Sequence, residues 1–247
     1  MKIKELEDYP WFPAVLRKYQ MEFIGIMVSR FHLYRKVTRI IQSDMEGSGL
    51  NQIEDLCSGS GLPAIYVHNH LRMDGLTTTL TDKFPQKIKD QIGIYYKNET
   101  VDMNSLQAFP EKYYTLYNAF HHFTPEEQKT LVEKIIKNKS NLLIAEIVQP
   151  SILSFLHVTL ASTLGVLLMC PLIQPFEWKR IFFTYIIPIN LITVLTDGFI
   201  SILKSKTKKQ YEDWKSNLNF DPRHITINEH FQFPTYIITL KISGKYD

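Results

Sequence analysis

The sequence predicts an α/β domain with an open, mostly parallel sheet and helices on both faces. Short apolar segments alternate with polar helical stretches over residues 51–148, which is typical of consecutive βαβ units. A glycine-containing loop joins the first predicted strand to a helix, and a further strand pattern closes the chain. We divide the 247 residues into an N-terminal helical cap (1–50), a core (51–150), an apolar helical insertion (151–205) and a return to the core sheet (206–247).

Composition and charge exclude several classes of function. With 28 Lys and Arg against 25 Asp and Glu, the net charge is only +3, so nucleic acid is not an expected partner. Cys57 and Cys170 lie far apart without metal-ligand spacing, and we expect no metal site. The charged start of the chain does not have the pattern of a signal peptide, which makes a cytoplasmic location the expectation.

The periodicity of apolar residues predicts the individual elements. Helical spacing covers much of residues 1–50 and recurs at Leu62–Leu71 and Pro125–Lys137. Thr124 is the predicted N-cap of the last of these helices, with two glutamates in its first turn. Predicted strands are Ile53–Leu56, Gly75–Leu80, Ile92–Tyr95, Tyr113–Tyr117, Asn141–Glu146 and Thr235–Ile242.

The loop from Asp55 to Gly61 directly follows the first predicted strand and directly precedes a predicted helix. Glycines at such a place let the backbone turn tightly and approach a ligand at the positive end of the helix. Asp82 lies 21 positions beyond Gly61, after the second strand, where an acid can bind the hydroxyls of a ribose. Asp102 follows the third strand, near an expected adenine. The alternative for each acid alone is a solvated loop carboxylate.

Residues 50–150 and the final strand resemble class I S-adenosylmethionine (SAM)-dependent methyltransferases. The resemblance implies a Rossmann-like, seven-stranded sheet with an antiparallel last strand and SAM as cofactor. By the same resemblance the cofactor site comprises Asp55, Cys57, Ser58, Gly59 and Gly61 from the loop, Asp82 at the ribose, Asp102 and Met103 at the adenine, and Asn118 after the fourth strand.

Two departures bear on the choice of cofactor. Cys57 occupies the place where this family most often has its first glycine, and we expect the small cysteine to be tolerated there. The glycine pattern of nicotinamide enzymes is incomplete because Ala64 stands at its third position. A nicotinamide-dependent oxidoreductase therefore remains a less favoured alternative.

The predicted catalytic residues follow the fourth strand. His121 and His122 lie where the methyl group of the cofactor is expected, and either could serve as a general base. The alternative is a structural role, such as packing against the cofactor or capping the helix that follows. Glu146 ends the fifth strand and is a candidate for orienting the acceptor.

Two apolar runs, Ile152–Ile173 and Ile181–Leu203, are each about as long as the roughly 20 residues that cross a bilayer. Both fall between strands of one sheet, so either a membrane hairpin or a pair of lid helices fits. Asp197 is costly in lipid and favours a lid that touches the inner face of a membrane. A true hairpin and a soluble cap are the alternatives. Tyr185 and Asp197 are predicted to contact the acceptor.

Together these features favour methyl transfer from SAM to a lipophilic small molecule or lipid. The alternative from another class is a non-catalytic Rossmann-like binding protein at a membrane. It is supported by the lack of an unambiguous catalytic base, although methyl transfer needs a base only when the acceptor must lose a proton.

Overall fold

A computed structural model of the chain describes residues 4–86, 88 and 91–244, without the side chain of Asn104. Within this part, the core is a seven-stranded sheet with the order β3-β2-β1-β4-β5-β7-β6. Strand β7 is antiparallel to both of its neighbours, and the other pairs are parallel. The predicted fold class is confirmed. The strands are β1 (Gln52–Leu56), β2 (Thr77–Leu80), β3 (Ile94–Tyr96), β4 (Tyr113–Tyr117), β5 (Asn141–Glu146), β6 (Ile225–Gln232) and β7 (Thr235–Ser243).

Helices cover both faces of the sheet and form the insertion. They are α1 (Ala14–Arg30), α2 (Arg35–Ser48), α3 (Leu62–His70), α4 (Pro125–Lys137), α5 (Ile152–Leu160), α6 (Val166–Met169), α7 (Trp178–Ile181), α8 (Ile189–Lys204) and α9 (Lys208–Ser216). One face of the sheet packs against α2 and α3 in a cluster that includes Val37 and Ile41. The other face packs against α4 and α9 in a cluster that includes Leu131 and Tyr211.

Most predicted boundaries agree with the structure. Strands β4 and β5 and helix α4 have the predicted limits, and the Thr124 hydroxyl accepts the N–H of Glu127 in a capping box. Strand β3 begins later than predicted because Gly93 turns the chain with φ +75°, which leaves Ile92 99% exposed. The sequence interpretation did not locate β6.

The expected ligand-binding crevice of the sheet lies at the carboxyl ends of β1 and β4. The strand order runs outward from β1 through β2 to β3 in one direction and from β4 onward in the other. The connections after the carboxyl ends of the strands therefore diverge here and leave a crevice, which is where open α/β sheets bind ligands. Loops after β1, β2, β4 and β5 all border the cavity found at this edge.

The insertion consists of two helical arms, each of which contains an irregular segment. The first arm contains a π-helical segment, Ala161–Gly165, and remains continuous enough over Ile152–Leu172 to cross a membrane by length and composition alone. The second arm bends by 76° between Trp178–Ile186 and Ile189–Lys204, where Pro188 removes a backbone donor. The described residues of these arms therefore do not form the two straight helices that the apolar runs suggest.

The turn between the arms is bound to α1. Arg180 is 1% exposed and donates to the carboxylate of Glu22 at 2.7 Å and to the carbonyl of Ile173 at 2.6 Å. Glu177 accepts hydrogen bonds from Lys18 and from the hydroxyl of Tyr19. Because these charged contacts hold the tip against the N-terminal cap, the insertion folds back along the domain.

Candidate active site

A cavity of about 1060 Å³ lies at the carboxyl edge of the sheet. Its volume is at the upper end of the range of roughly 300–1,000 Å³ for ligand pockets, so a nucleoside-sized cofactor and a small acceptor fit together. Eight of the predicted site residues line it: Cys57, Ser58, Gly59, Asp82, Asn118, His121, His122 and Asp197. Ser60 of the same loop also lines the cavity.

The glycine loop turns through left-handed backbone at alternate residues. Cys57, Gly59 and Gly61 have φ values of +54°, +54° and +75°. A side chain at Gly61 would meet Leu80 at 2.7 Å, so this position needs glycine for space as well as for conformation. Cys57 adopts the same conformation with a β-carbon, which explains why a glycine is common at this position in the family that the sequence resembles.

Asp82 is held directly beside this loop. Its carboxylate accepts the N–H of Gly59 at 2.8 Å and the N–H of Phe84 at 2.7 Å, and the residue is 7% exposed. Burial raises the pKa of Asp82, while the two N–H donors oppose the shift. Each carboxylate oxygen accepts one of these bonds and can accept another, and Asp82 lines the cavity, as binding of a ribose diol requires.

Three backbone donors of the loop are already used within the protein. The N–H groups of Ser58 and Gly61 donate to the carbonyls of Thr81 and Ser58 at 2.9 and 2.7 Å, and that of Gly59 donates to Asp82. A dinucleotide pyrophosphate would need such donors and would also face the Asp82 carboxylate. These three N–H groups are therefore not available to bind the pyrophosphate of a nicotinamide dinucleotide.

Asp55 supports the loop from below and does not line the cavity. It is 1% exposed, and its carboxylate accepts the Thr115 hydroxyl at 2.7 Å. Burial raises the pKa of Asp55 to about 7. Its backbone carbonyl accepts the hydroxyls of Ser58 and Thr81, so Asp55 connects the loop to the ends of β2 and β4.

The two residues predicted at the adenine lie outside the lining of the cavity. Met103 is buried in the core cluster that contains Leu56 and Leu106. Asp102 is half-buried and lies close enough to Cys57 that it contributes to the raised pKa of that thiol, after burial, Asp82 and Asp55. The N–H of Val101 donates to the Asp82 carbonyl at 3.0 Å, which connects this segment to the predicted ribose site.

His121 and Glu146 form a buried pair in which His121 lines the cavity and Glu146 lies behind it. Both follow or end central strands, and Nδ1 of His121 lies 2.5 Å from Oε2 of Glu146. The other carboxylate oxygen of Glu146 accepts the N–H of Phe120 at 2.7 Å, which fixes its position. Glu146 thus orients His121 and does not itself border the cavity. Nε2 of His121 is buried and has no hydrogen-bond partner in the described part of the chain.

The N-terminal segment brings carboxylates that the sequence interpretation did not assign to the site. Nδ1 of His122 lies 3.1 Å from Asp8, and Nε2 of His122 lies 3.3 Å from Oε2 of Glu5. Burial lowers the pKa of His122, but Glu5 and Asp8 outweigh burial and raise the pKa to about 9. Lys204 binds Glu5 at 3.0 Å from the opposite side.

Three other predicted site residues have mainly structural contacts. The side-chain oxygen of Asn118 accepts the N–H of Ile147 at 3.3 Å. Asp197 accepts the N–H groups of Leu6 and Glu7 and the amide of Gln20, and it thereby holds the N-terminal segment over the cavity. Tyr185 is 43% exposed, donates to the carbonyl of Leu167 and does not line the cavity.

One part of the cavity is mainly apolar. Its walls come from α1 and from the two arms of the insertion, which contribute Phe23, Ile24, Met27, Val158, Ala161 and Val194. The polar loop and these walls belong to one continuous cavity, so a ligand in the apolar part can contact a cofactor on the loop. His157 is the polar side chain of α5 that also lines this space.

The strand order, the antiparallel β7 and the acid-and-glycine loop after β1 are those of a class I methyltransferase fold. No family model and no curated protein matches the chain. It is similar to the solved structure of human N-acetylserotonin methyltransferase in complex with SAM, with 15% identity over 89% of this chain and 55% of the other, and a TM-score of 0.49.

Two further solved structures are also similar. PigF with S-adenosylhomocysteine shows 15% identity, covering 95% of this chain and 62% of the other with a TM-score of 0.49. The plantazolicin methyltransferase BamL shows 10% identity, covering 94% of this chain and 99% of the other with a TM-score of 0.45. The chain spans little more than half the length of the human protein. Its site is therefore interpreted from its own residues.

Proposed function

We propose that the protein transfers a methyl group from SAM to a lipophilic acceptor. The observation that carries this proposal is the position of Asp82: its carboxylate borders the cavity beside a glycine loop in which three N–H groups are already bonded within the protein. This arrangement suits a ribose and a positively charged group and disfavours a pyrophosphate.

The residues of the chain would mainly position the reactants. SAM supplies an electrophilic methyl group on a sulfonium. In-line alignment of this group with an acceptor can lower the activation barrier by roughly 7–11 kcal/mol. Asp82 and the loop would hold the cofactor, and the apolar walls would hold the acceptor. His121 would act on the acceptor through Nε2, which has no hydrogen-bond partner among the described residues, while Glu146 holds Nδ1.

We also propose that the insertion rests on a membrane surface and admits the acceptor from there. Ile152, Leu156, Leu160, Leu164, Leu168 and Leu172 form a stripe of every fourth residue on the first arm, each between 46% and 90% exposed. We call this the outer stripe. Trp178 and Lys179 are exposed at the turn, where an aromatic ring and a cation suit the headgroup region. The inner side of the same arm lines the cavity.

The charged contacts of the turn favour this arrangement over a membrane-spanning hairpin. Arg180 and Glu22 would have to separate if the tip crossed a bilayer. The lysines after the insertion contribute less to lipid contact than the sequence suggests, since Lys204 binds Glu5 and Lys206 binds Gln128. A membrane-facing lid therefore accounts for both the outer stripe and the bound tip.

Calorimetric titration with SAM and, in parallel, with reduced nicotinamide dinucleotides tests the proposed function. We expect micromolar binding of SAM and no heat from the nicotinamide cofactors. If a folded sample does not bind SAM, the methyltransferase assignment is wrong, and a nicotinamide signal would replace it with a redox enzyme. Binding without turnover over a panel of lipophilic phenols, quinols and amines would favour the non-catalytic binding protein.

A further inference from the structure

Three potential metal ligands from two distant segments meet at the cavity wall. Nε2 of His121 lies 3.6 Å from Oε1 of Glu5, and Nε2 of His122 lies 3.3 Å from Oε2 of Glu5. One ligand atom from each of the three residues lies within 4.8 Å of the others. All three residues line the cavity, and Glu5 and His121 are buried. We call this group the His-His-Glu cluster.

We propose that the His-His-Glu cluster binds a divalent first-row transition metal ion. Two imidazole nitrogens and one carboxylate are a ligand set that zinc and iron sites use in proteins, and carboxylate oxygen also suits manganese. Both histidines would present Nε2, and the carboxylate of Glu5 lies between them. This inference departs from the expectation from sequence that the chain has no metal site.

The distances suit a shared ion better than direct hydrogen bonds. Ligand atoms bound at roughly 2.0–2.2 Å from one ion lie roughly 3–3.5 Å from one another. The separations of 3.3 and 3.6 Å, which join the two Nε2 atoms to different oxygens of Glu5, lie close to this range. A charge-assisted hydrogen bond would shorten them to about 2.7–2.9 Å. The unpartnered, buried Nε2 of His121 points to the same conclusion, because such an atom ordinarily has a partner.

Each histidine also has the outer partner that metal-bound histidines have. Nδ1 of His121 contacts Glu146 at 2.5 Å, and Nδ1 of His122 contacts Asp8 at 3.1 Å. A carboxylate on Nδ1 favours the tautomer with its proton there and leaves the lone pair of Nε2 for an ion. Both rings are thus oriented by carboxylates before any ion binds.

The charges around the cluster leave room for a divalent ion. The three carboxylates of Glu5, Asp8 and Glu146 face two histidines and one ammonium group, that of Lys204. With neutral imidazoles the formal charge of this group is two negative units, which one divalent ion would neutralise. The competing occupant is a proton on His122, and an ion would displace it.

An ion in this position would have open coordination sites towards the cavity, as catalytic metal sites do. The remaining step rests on the proposed function. An acceptor hydroxyl bound to the ion would have a lower pKa and would release its proton to solvent water, so His121 would act on the acceptor through the ion and not as a free base. This would favour acceptors that present an oxygen atom to the methyl group.

The first test measures metal content. The purified chain is stripped with a chelator, dialysed separately against Zn²⁺, Mn²⁺ and Co²⁺, and analysed by plasma mass spectrometry. We expect one ion per chain for at least one of these metals, and for Co²⁺ a visible absorption band from nitrogen and oxygen ligands. A wild-type chain that retains none of the three metals would overturn the proposal.

Substitutions then assign the ligands. We expect His121→Ala, His122→Ala and Glu5→Gln each to weaken metal binding by about tenfold or more. His157→Ala is the matched control, because His157 lines the same cavity outside the cluster. Circular dichroism shows whether each variant folds. If a histidine variant does not fold, the near-isosteric Glu5→Gln variant provides the test of metal binding. Binding that is unchanged in the folded cluster variants, or lost equally in the control, would refute the assignment.

Titration of the same samples with SAM separates this proposal from the proposed function. Metal binding without SAM binding would leave the metal site in place and refute the methyltransferase. SAM binding without metal binding would refute the metal site alone.

Discussion

The glycine loop and the apolar insertion are two walls of the same cavity, but they are stabilised differently. The loop is held by short backbone and side-chain bonds within a compact set of strand ends, such as Gly59 to Asp82. The insertion is held by ion pairs and hydrogen bonds to α1 that join residues more than 150 positions apart, such as Arg180 to Glu22. The cofactor wall is therefore a local structure, whereas the acceptor wall depends on long-range assembly.

This difference suggests that the two walls can change independently. A local loop keeps its geometry when distant elements are altered, so the cofactor site should tolerate changes in the insertion. The acceptor site draws on α1, the insertion and the N-terminal segment, and altering any one of them should change it. The predictions below test this comparison, beginning with the largest expected effect.

The largest effect is expected at the turn between the two arms of the insertion. Arg180→Met removes a buried guanidinium and leaves Glu22 without its closest partner, so the free energy of unfolding should fall by about 3–5 kcal/mol. Chemical denaturation followed by circular dichroism measures this. Arg223→Met is the control, because the Arg223–Asp221 pair is exposed at the surface and should contribute less than about 1 kcal/mol.

If the two walls are independent, the Arg180→Met variant should still bind SAM at temperatures where it remains folded. An equal loss of stability in both arginine variants would show that the tip is not held by this pair. Loss of SAM binding in a folded Arg180→Met sample would show that the walls are coupled.

The next largest effect is expected for the cofactor wall. Asp82→Ala removes the predicted ribose ligand, and two hydrogen bonds to a charged group account for roughly 2–4 kcal/mol, so the Kd for SAM should rise by about 30-fold or more. Calorimetry on the folded variant measures it. Asp82→Asn keeps one oxygen acceptor, so its Kd for SAM should lie between that of the wild-type chain and that of the Asp82→Ala variant. Asp74→Ala changes an exposed aspartate elsewhere and should leave the Kd unchanged.

The same contrast between a local and a long-range structure explains how far the sequence predicts each wall of the cavity. Asp82, Gly59 and Cys57 could be assigned to the cavity because loop, strand and helix are contiguous in the chain. Glu5 and Asp8 could not, because they meet His121 and His122 only after the N-terminal segment folds across the strand ends. The nearest signal in the sequence is the charged run before α1, which carries no positional information.

Elsewhere the limits of sequence reasoning are physical as well. Edge strand β6 alternates buried and exposed residues only at its start, and its exposed second half, with Glu229 and Phe231, hides the strand pattern. Tyr185 could not be placed because the π-helical segment Phe182–Ile186 rotates side chains away from their α-helical positions. Glu146 was located correctly at the end of β5, but its role behind His121 depends on tertiary contacts.

The outer stripe gives a further test of the acceptor wall. The double substitution of Leu164→Asp and Leu168→Asp should weaken binding to vesicles of phosphatidylcholine with a minor fraction of phosphatidylglycerol by about tenfold or more, because each buried leucine contributes roughly 1.5–3 kcal/mol. Co-sedimentation measures the bound fraction. Ile92→Asp is the control, because Ile92 is exposed at the opposite edge of the sheet.

In this comparison both variants should bind SAM like the wild-type chain, since neither change touches the loop. A wild-type chain that does not sediment with vesicles would refute the membrane contact. An equal loss of vesicle binding in the stripe variant and the Ile92 variant would show that the insertion does not make the membrane contact.

The smallest effect is expected at Cys57. A residue with a β-carbon at φ +54° carries a backbone cost of about 1–2 kcal/mol that glycine avoids. Glycine also increases the entropy of the unfolded chain, which offsets roughly 0.4–1 kcal/mol of this gain. Cys57→Gly should therefore raise the free energy of unfolding by about 0.5–1 kcal/mol and leave the Kd for SAM nearly unchanged. Cys57→Ser, which keeps the β-carbon, should not stabilise the protein.

A glycine variant that is less stable than the serine variant would mean that packing of the thiol against the core outweighs the backbone conformation. In that event the cofactor wall would depend on contacts beyond the loop, and the contrast with the insertion would be weaker than the geometry indicates.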